Sequence, residues 1–283
     1  MGGKTKITRT LKDLRKIVGK WREKGERVAL VPTMGALHAG HLTLVKLAAK
    51  KADRVVVSIF VNPTQFAPHE DLARYPRDEA GDVAKLHSAG CDLVWAPTVA
   101  EMYPEGFSTS VKPGSAAMAL EGEFRPHHFA GVATVCCKLF GQVMPDIAIF
   151  GEKDFQQLAV LRQMVRDLNL PLKLIGAPTK REKDGLALSS RNAYLSQKER
   201  AIAPALQAAI AELAAEVGKG VDIKSAIETA KRNVRNAGFS KIDYIAVADA
   251  ETLDPVETLG GRPLRVLAAA WLGKTRLIDN VAV

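Results

Sequence analysis

Val28-Ala-Leu-Val-Pro-Thr-Met-Gly-Ala-Leu-His-Ala-Gly-His-Leu42 is the stretch on which the fold turns. Its first four residues form an unbroken apolar run, which reads as a buried strand of a parallel sheet. A turn of small residues follows, with Gly35 and Gly40, and with His38 and His41 three positions apart. Leu42-Thr-Leu-Val-Lys-Leu-Ala-Ala-Lys50 then reads as a helix. A strand, a small-residue turn and a helix suit a nucleotide for a physical reason. The first N–H groups of a helix lack partners, its dipole is positive there, and glycines let phosphates reach the backbone. Two imidazoles in such a turn can donate to the oxygens of a nucleoside triphosphate.

On either side of this stretch, apolar runs alternate with helical patterns. Thr8 reads as the N-cap of a basic helix over 11–24. Strands are predicted over 27–33, 54–61, 92–96, 146–150 and 172–176, and helices over 40–51, 77–89, 132–143 and 155–168. The alternation predicts an α/β fold with a parallel sheet, whose ligands lie at the carboxyl ends of the strands. The His turn and the polar loop 62–68, which holds Asn62 and Gln65, both leave those ends, so they should be neighbours. Segment 113–131 is punctuated by Gly and Pro and reads as a loop or lid. A polar connection over 179–196 leads to a different pattern: helices over 197–218 and 223–237, then strands over 242–248, 264–271 and 275–281. Two domains are expected, 1–186 and 187–283, the second a small α+β unit.

Composition narrows the class. With 283 residues, 47% hydrophobic and 25% charged, the chain can bury a sizeable core. No apolar run suggests a membrane span, and the start lacks the apolar stretch of a secretory signal. Met1-Gly2 would suit myristoylation, but position 6 is Lys. Three cysteines, Cys91, Cys136 and Cys137, form neither a disulfide framework nor a Cys-x-x-Cys zinc pair, which fits a reducing cytoplasm. The net charge of +9 is dispersed and aromatics make up only 6%, a poor platform for nucleic acid.

The chemistry-bearing residues fall into clusters. His38 and His41 suit phosphate contact better than zinc, for which no third ligand follows at metalloprotease spacing. In Gly151-Glu-Lys-Asp154, a lysine at a helix start is disfavoured unless an anion compensates. Lys153 is therefore a candidate triphosphate contact, and Asp154 a candidate N-cap or Mg²⁺ partner. Ser189-Ser-Arg191 offers two hydroxyls and a guanidinium for phosphates, although a turn with a surface arginine has the same pattern. Gln65 and Gln157 are amides able to orient hydroxyls and carboxylates. No P-loop, dinucleotide motif or Ser-His-Asp elbow is present.

Taken in order, Pro32-Thr-Met-Gly-Ala-Leu-His-Ala-Gly-His41, Phe60-Val-Asn-Pro-Thr-Gln-Phe66, His128-Phe-Ala-Gly-Val132, Pro145-Asp146, Phe150-Gly-Glu-Lys-Asp-Phe-Gln-Gln-Leu158 and Asp184-Gly-Leu-Ala-Leu-Ser-Ser-Arg-Asn192 closely resemble the pantoate–β-alanine ligase (pantothenate synthetase) family. The resemblance implies a ligase that joins (R)-pantoate to β-alanine with ATP and Mg²⁺ through a pantoyl adenylate, giving pantothenate, AMP and pyrophosphate. It implies a Rossmann-like domain with a smaller C-terminal domain, a HIGH-like motif at His38-Ala-Gly-His41, and a homodimer. By the same resemblance His41 falls on the proposed proton donor, and His38, Lys153 and Arg191 join it in catalysis. Gln65 falls on a contact to pantoate and β-alanine, Gln157 on a pantoate contact, and Asn62 is grouped with them. ATP falls to Met34, Gly35, Ala36, Leu37, His38, Ala39, Gly40 and His41, to Gly151, Glu152, Lys153 and Asp154, and to Lys180, Leu188, Ser189, Ser190 and Arg191. Lys180 stands where the family often has Val, and Leu188 where it often has Met. Other readings stay open: a nucleotidyltransferase of the same superfamily acting on a phosphorylated acceptor, or, from another class, a basic RNA-binding module.

Overall fold

The structure is a computed structural model that describes residues 5–67 and 70–283. The Met1-Gly2 reading and the end of the 62–68 loop lie outside the described residues. In chain order the elements are β1 (Lys6–Thr8), α1 (Leu11–Arg22), β2 (Val28–Thr33), α2 (Ala39–Ala49), β3 (Arg54–Ile59), α3 (Glu79–Ala89), β4 (Leu93–Trp95), α4 (Val99–Met102), α5 (Glu121–Phe124), α6 (His128–Val143), β5 (Ile147–Gly151), α7 (Phe155–Asp167) and β6 (Lys173–Ala177). They continue with α8 (Gln197–Ile202), α9 (Pro204–Gly218), α10 (Ile223–Ala237), β7 (Lys241–Asp249), β8 (Leu264–Leu272) and β9 (Thr275–Ala282). These form two compact units. The first takes residues up to Pro113 with His127–Glu152 and Val160–Pro178; the second takes Gly114–Pro126, Lys153–Ala159 and Thr179–Val283. The partition is discontinuous, whereas the sequence reading draws one boundary at 186/187.

The first unit is an α/β fold around a six-stranded parallel sheet in the order β1-β4-β3-β2-β5-β6. Ala29, Val31, Val55, Val57 and Val94 enter one apolar layer with Leu44 and Val45 of α2 and Leu86 of α3. Trp95, one residue out of step with Val94, points to the opposite face. There its indole donates to Gln142 Oε1 of α6 at 3.1 Å. Both faces of β2 to β5 are thus covered, which is why their sequences read as continuous apolar runs. The chain builds outward from β2 to β3 and β4, then returns to the other side of β2 with β5. The point where the order reverses lies between β2 and β5, and the crevice at their carboxyl ends is the expected ligand site of such a sheet.

One local expectation is corrected. Thr8 ends β1 beside Trp95, and Thr10 caps α1 instead, accepting the Asp13 N–H at 3.2 Å. The cysteines are free and buried or half-buried, and burial pushes the Cys91 and Cys136 thiols up to about 12, so they are inert packing groups.

The second unit packs α8, α9 and α10 on one face of the antiparallel sheet β7-β8-β9. Val266 and Ala268 point into that layer. Leu267, between them, points the other way into a small cluster with Leu120, Phe155 and Ala159. The predicted helix over 197–218 divides at Pro204, which has no N–H to continue the ladder. By length and hydropathy alone, Gln197–Gly218 would qualify for a membrane span; Leu206, Ile210, Leu213 and Val217 instead bury its apolar face in the core of this unit. Segment 113–131 is also corrected. It holds a turn of 3₁₀ helix over Ser115–Ala117, α5 and the first turn of α6. Gln156 ties it down by donating to the Ala116 and Ala119 carbonyls at 2.9 and 2.8 Å and accepting the Glu121 N–H at 3.0 Å. Glu121, 5% exposed, accepts two bonds from Arg276 at 2.8 Å. Residues 114–126 are therefore a packed layer of the second unit. Their Gly and Pro punctuation reads as a loose loop because the bonds that hold them come from distant parts of the sequence.

Candidate active site

The turn after β2 needs unusual backbone. Gly35 and Ala36 both sit in the left-handed region, at φ +81° and +51°. A Cβ on Gly35 would stand 3.2 Å from Asp82 Oδ2. Asp82, on α3 and 1% exposed, accepts the Leu37 N–H at 2.8 Å, and Lys85 donates to the Leu37 carbonyl at 3.0 Å. Helix α3 thus clamps the turn from behind. Nothing in the sequence marks Asp82, because an acid in the first turn of a helix is ordinary.

His38 is the N-cap of α2, and its Nδ1 accepts the Gly40 N–H at 3.2 Å. His41 answers: its Nδ1 accepts the His38 N–H at 3.3 Å, closing a reciprocal capping box. The rings lie 4.1 Å apart, tilted by 38°. A nitrogen that accepts carries no proton, so in both rings the proton belongs on Nε2. The cap therefore leaves Nε2–H as the donor of each ring. No acidic residue occupies the first turn of α2, which leaves the dipole available to an anion.

Gln65 lies in a turn of 3₁₀ helix, Pro63–Gln65, after β3. Its Nε2 approaches Met34 Sδ at 3.2 Å, so the His turn and the 62–68 loop are neighbours, as expected. Asn62 determines which way the Gln65 amide faces. It is 1% exposed; its Oδ1 accepts from the Thr64 N–H at 3.3 Å and from the Tyr103 hydroxyl at 2.8 Å. Its Nδ2 donates to the Gly131 carbonyl at 3.2 Å and to Gln65 Oε1 at 3.0 Å. A backbone N–H only donates and a carbonyl only accepts, so the Asn62 amide has one orientation, and Gln65 must turn its NH₂ toward Met34. Asn62 thus acts on Gln65. Tyr103 lies outside every motif read from the sequence. Burial raises its hydroxyl above its ordinary value, which keeps it a donor. Tyr103→Phe is expected to lower turnover about three- to tenfold, the worth of one buried hydrogen bond; steady-state rates with all three substrates varied would check it.

Gly151 and Glu152 leave the end of β5, beside β2 in the sheet, so they stand at the switch point with the His turn. The remaining predicted residues belong to the second unit. Lys153 and Asp154 lie in a 3₁₀ turn that runs into α7. Lys153 Nζ is 3.9 Å from Asp154 Oδ1, with the lysine side chain 18% and the aspartate 50% exposed. Gln157 is half-buried, and its neighbour Gln156 is the one that clamps 114–126. Lys180 is exposed, and its carbonyl accepts the Leu188 N–H at 2.9 Å. Ser189 caps a 3₁₀ turn, Ser190–Tyr194, accepting the Arg191 N–H at 3.3 Å. Ser190 and Arg191 lie half-buried in that turn.

Comparison with known proteins identifies the family. The sequence profile of the family described as pantoate-beta-alanine ligase matches residues 6–282. A pantothenate synthetase of Rhizorhabdus wittichii is 57% identical over 277 residues, covering 98% of each chain. The crystal structure of pantothenate synthetase from Thermus thermophilus superposes with a TM-score of 0.92 at 46% identity, covering 98% of this chain and 99% of that one. A pantoate-beta-alanine ligase from Francisella tularensis, solved with beta-gamma ATP and beta-alanine, superposes with a TM-score of 0.82 at 35% identity, covering 98% and 97%. The chain belongs to the pantoate–β-alanine ligase family, and it is an enzyme that joins pantoate to β-alanine to form pantothenate.

Proposed function

We propose that the reaction runs through a pantoyl adenylate made from ATP. The reading rests on one observation, the reciprocal His38–His41 cap at the start of α2, which uses Nδ1 of both rings as acceptor and leaves Nε2–H as their donor. The pantoate carboxylate attacks the α-phosphorus of ATP in line, and the bond to pyrophosphate breaks. Attack brings two anions together, so neutralising charge is the main demand. His38 and His41 donate to the phosphate oxygens, with His41 the proton donor to the developing charge. Lys153, Ser189, Ser190 and Arg191 take up the remaining phosphate charge. Met34–His41, Gly151–Asp154, Lys180 and Leu188 carry the rest of the nucleotide contacts. The Gln65 NH₂ suits an oxygen acceptor on pantoate, and Gln157 is a second pantoate contact. The amine of β-alanine then attacks the acyl carbon; AMP leaves with the electron pair of the anhydride oxygen, and the amine loses a proton. Positioning carries this second step, because AMP is a good leaving group.

Among the described residues no three His, Cys, Asp or Glu side chains gather as a metal site. Asp154, half exposed beside Lys153, would hold the Mg²⁺ that accompanies ATP, since Mg²⁺ is usually held by one or two carboxylates and substrate phosphates, and the ion would neutralise phosphate charge. A cytoplasmic location and a homodimer complete the reading; the free cysteines support the first, and the second follows from the family resemblance.

The test incubates the protein with ATP and Mg²⁺, adding pantoate and β-alanine separately and together. Pyrophosphate should form with pantoate alone, and pantothenate with free AMP only once the amine is added. A nucleotidyl product retained on a phosphorylated acceptor would favour the transferase alternative instead.

A further inference from the structure

β9 lies far in sequence from every motif, yet it carries two buried polar residues in succession, Asp279 and Asn280, which are 6% and 3% exposed. Neighbours on a strand project to opposite faces, so the pair reaches two different segments. On one face, Asn280 Nδ2 donates to the Lys153 carbonyl at 2.8 Å, while its Oδ1 accepts from Arg265 Nε at 2.8 Å. A guanidinium only donates and a carbonyl only accepts, so this amide too has a single orientation. Arg265 also stacks over the Phe155 ring, 4.1 Å from its centroid, just past the Lys153 turn. On the other face, Asp279 accepts both ends of the Arg181 fork, at 2.6 and 2.9 Å. Arg181 in turn donates to the Gly185 carbonyl at 3.1 Å and pairs antiparallel with Ala187, one residue before Leu188.

We propose that Asn280 is a positioning residue for the nucleotide. It sets the backbone of the Lys153 turn, while Asp279, through Arg181, sets the loop that delivers Leu188–Arg191. Two stretches separated by some thirty residues are thereby registered against one strand, so that their cationic and hydroxyl groups are held in place before ATP arrives. The inference rests on the reading of Lys153 and Ser189–Arg191 as phosphate contacts.

Asn280→Asp is the informative variant. It keeps the acceptor for Arg265, so the packing against β8 survives, but it replaces the donor facing the Lys153 carbonyl with an acceptor. The KM for ATP should rise about five- to tenfold, the loss of one oriented hydrogen bond, while the KM for pantoate and for β-alanine stay within about twofold and the melting temperature holds. Asn280→Ala should move the ATP KM in the same direction. An unchanged ATP KM in Asn280→Asp would overturn the inference, as would a matching rise in all three KM values with a lowered melting temperature. Lys153→Ala serves as the reference: if it leaves the ATP KM and turnover alone, the reading of Lys153 is wrong and the inference falls with it; if it raises the KM while Asn280→Asp does not, only the inference falls.

Discussion

Replacing His41 with alanine is expected to slow pyrophosphate release from ATP and pantoate by about a hundredfold or more, the cost of removing one donor aimed at charge that develops in the transition state. The observed cap and the proposed proton donation give His41 two jobs, and the experiment must separate them. Its Nδ1 closes the cap by accepting the His38 N–H; its Nε2 is the donor. Alanine removes both, so a destabilisation of about 1 kcal/mol from the lost cap should accompany the loss of rate. Asparagine places an acceptor near the position of Nδ1 and nothing near Nε2. His41→Asn should therefore melt close to the parent protein and still be slow. Melting curves and single-turnover pyrophosphate release, measured on both variants, decide the matter. A stable Asn variant with parental rate would mean that the ring serves only the helix.

Gly131→Ala should damage both stability and turnover, although alanine is normally the better helix former. Gly131 faces the Pro63–Gln65 turn across a contact with no space for a side chain. A Cβ there would stand 2.6 Å from the Thr64 carbonyl carbon and 2.8 Å from Gln65 Cα. These are backbone atoms, which cannot rotate aside. The turn is also pinned at neighbouring points, by Asn62 Nδ2 on the Gly131 carbonyl and by His128 Nδ1 donating to the Gln65 carbonyl at 3.0 Å. A methyl group must therefore push the turn off α6, at a cost of about 1–3 kcal/mol for overpacking. A shift of roughly 1 Å in the Gln65 amide should lower turnover about a hundredfold. Gly141, exposed on the same helix with nothing within 4 Å of its would-be Cβ, is the internal control. Gly141→Ala should be neutral or stabilising by about 0.5–1 kcal/mol. Equal behaviour of the two variants would remove the close approach as an explanation.

The parallel sheet is legible in the sequence because both faces of its central strands are buried, so each reads as a run of Val, Leu and Ile bounded by turns. The His turn is legible because two histidines three positions apart, set among glycines, stand where an apolar strand passes into a helix. β1 is not: Lys6 and Ile7 are exposed at the sheet edge, and three residues carry no periodicity. The Asn62–Gln65 pairing spans three residues and is within reach of a sequence reading, but the orientation it imposes is not. That orientation depends on Tyr103 and on the Gly131 carbonyl, which are 41 and 69 positions away from Asn62. The same holds for Asp82 behind the nucleotide turn and for Asn280 beside the Lys153 carbonyl. Such residues look like unremarked polar positions in their own segments, and their meaning comes only from what the fold places next to them.

An imidazole is not the best group with which to start a helix; aspartate, asparagine or serine would be the choice of anyone wishing to raise the melting point. At position 38 that improvement would work against the enzyme. A carboxylate would neutralise the positive end of α2 and set a fixed charge where the proposed mechanism brings a phosphate. On that proposal, thermostabilisation by helix-cap optimisation should leave α2 alone, because a stronger cap would be gained at the expense of turnover.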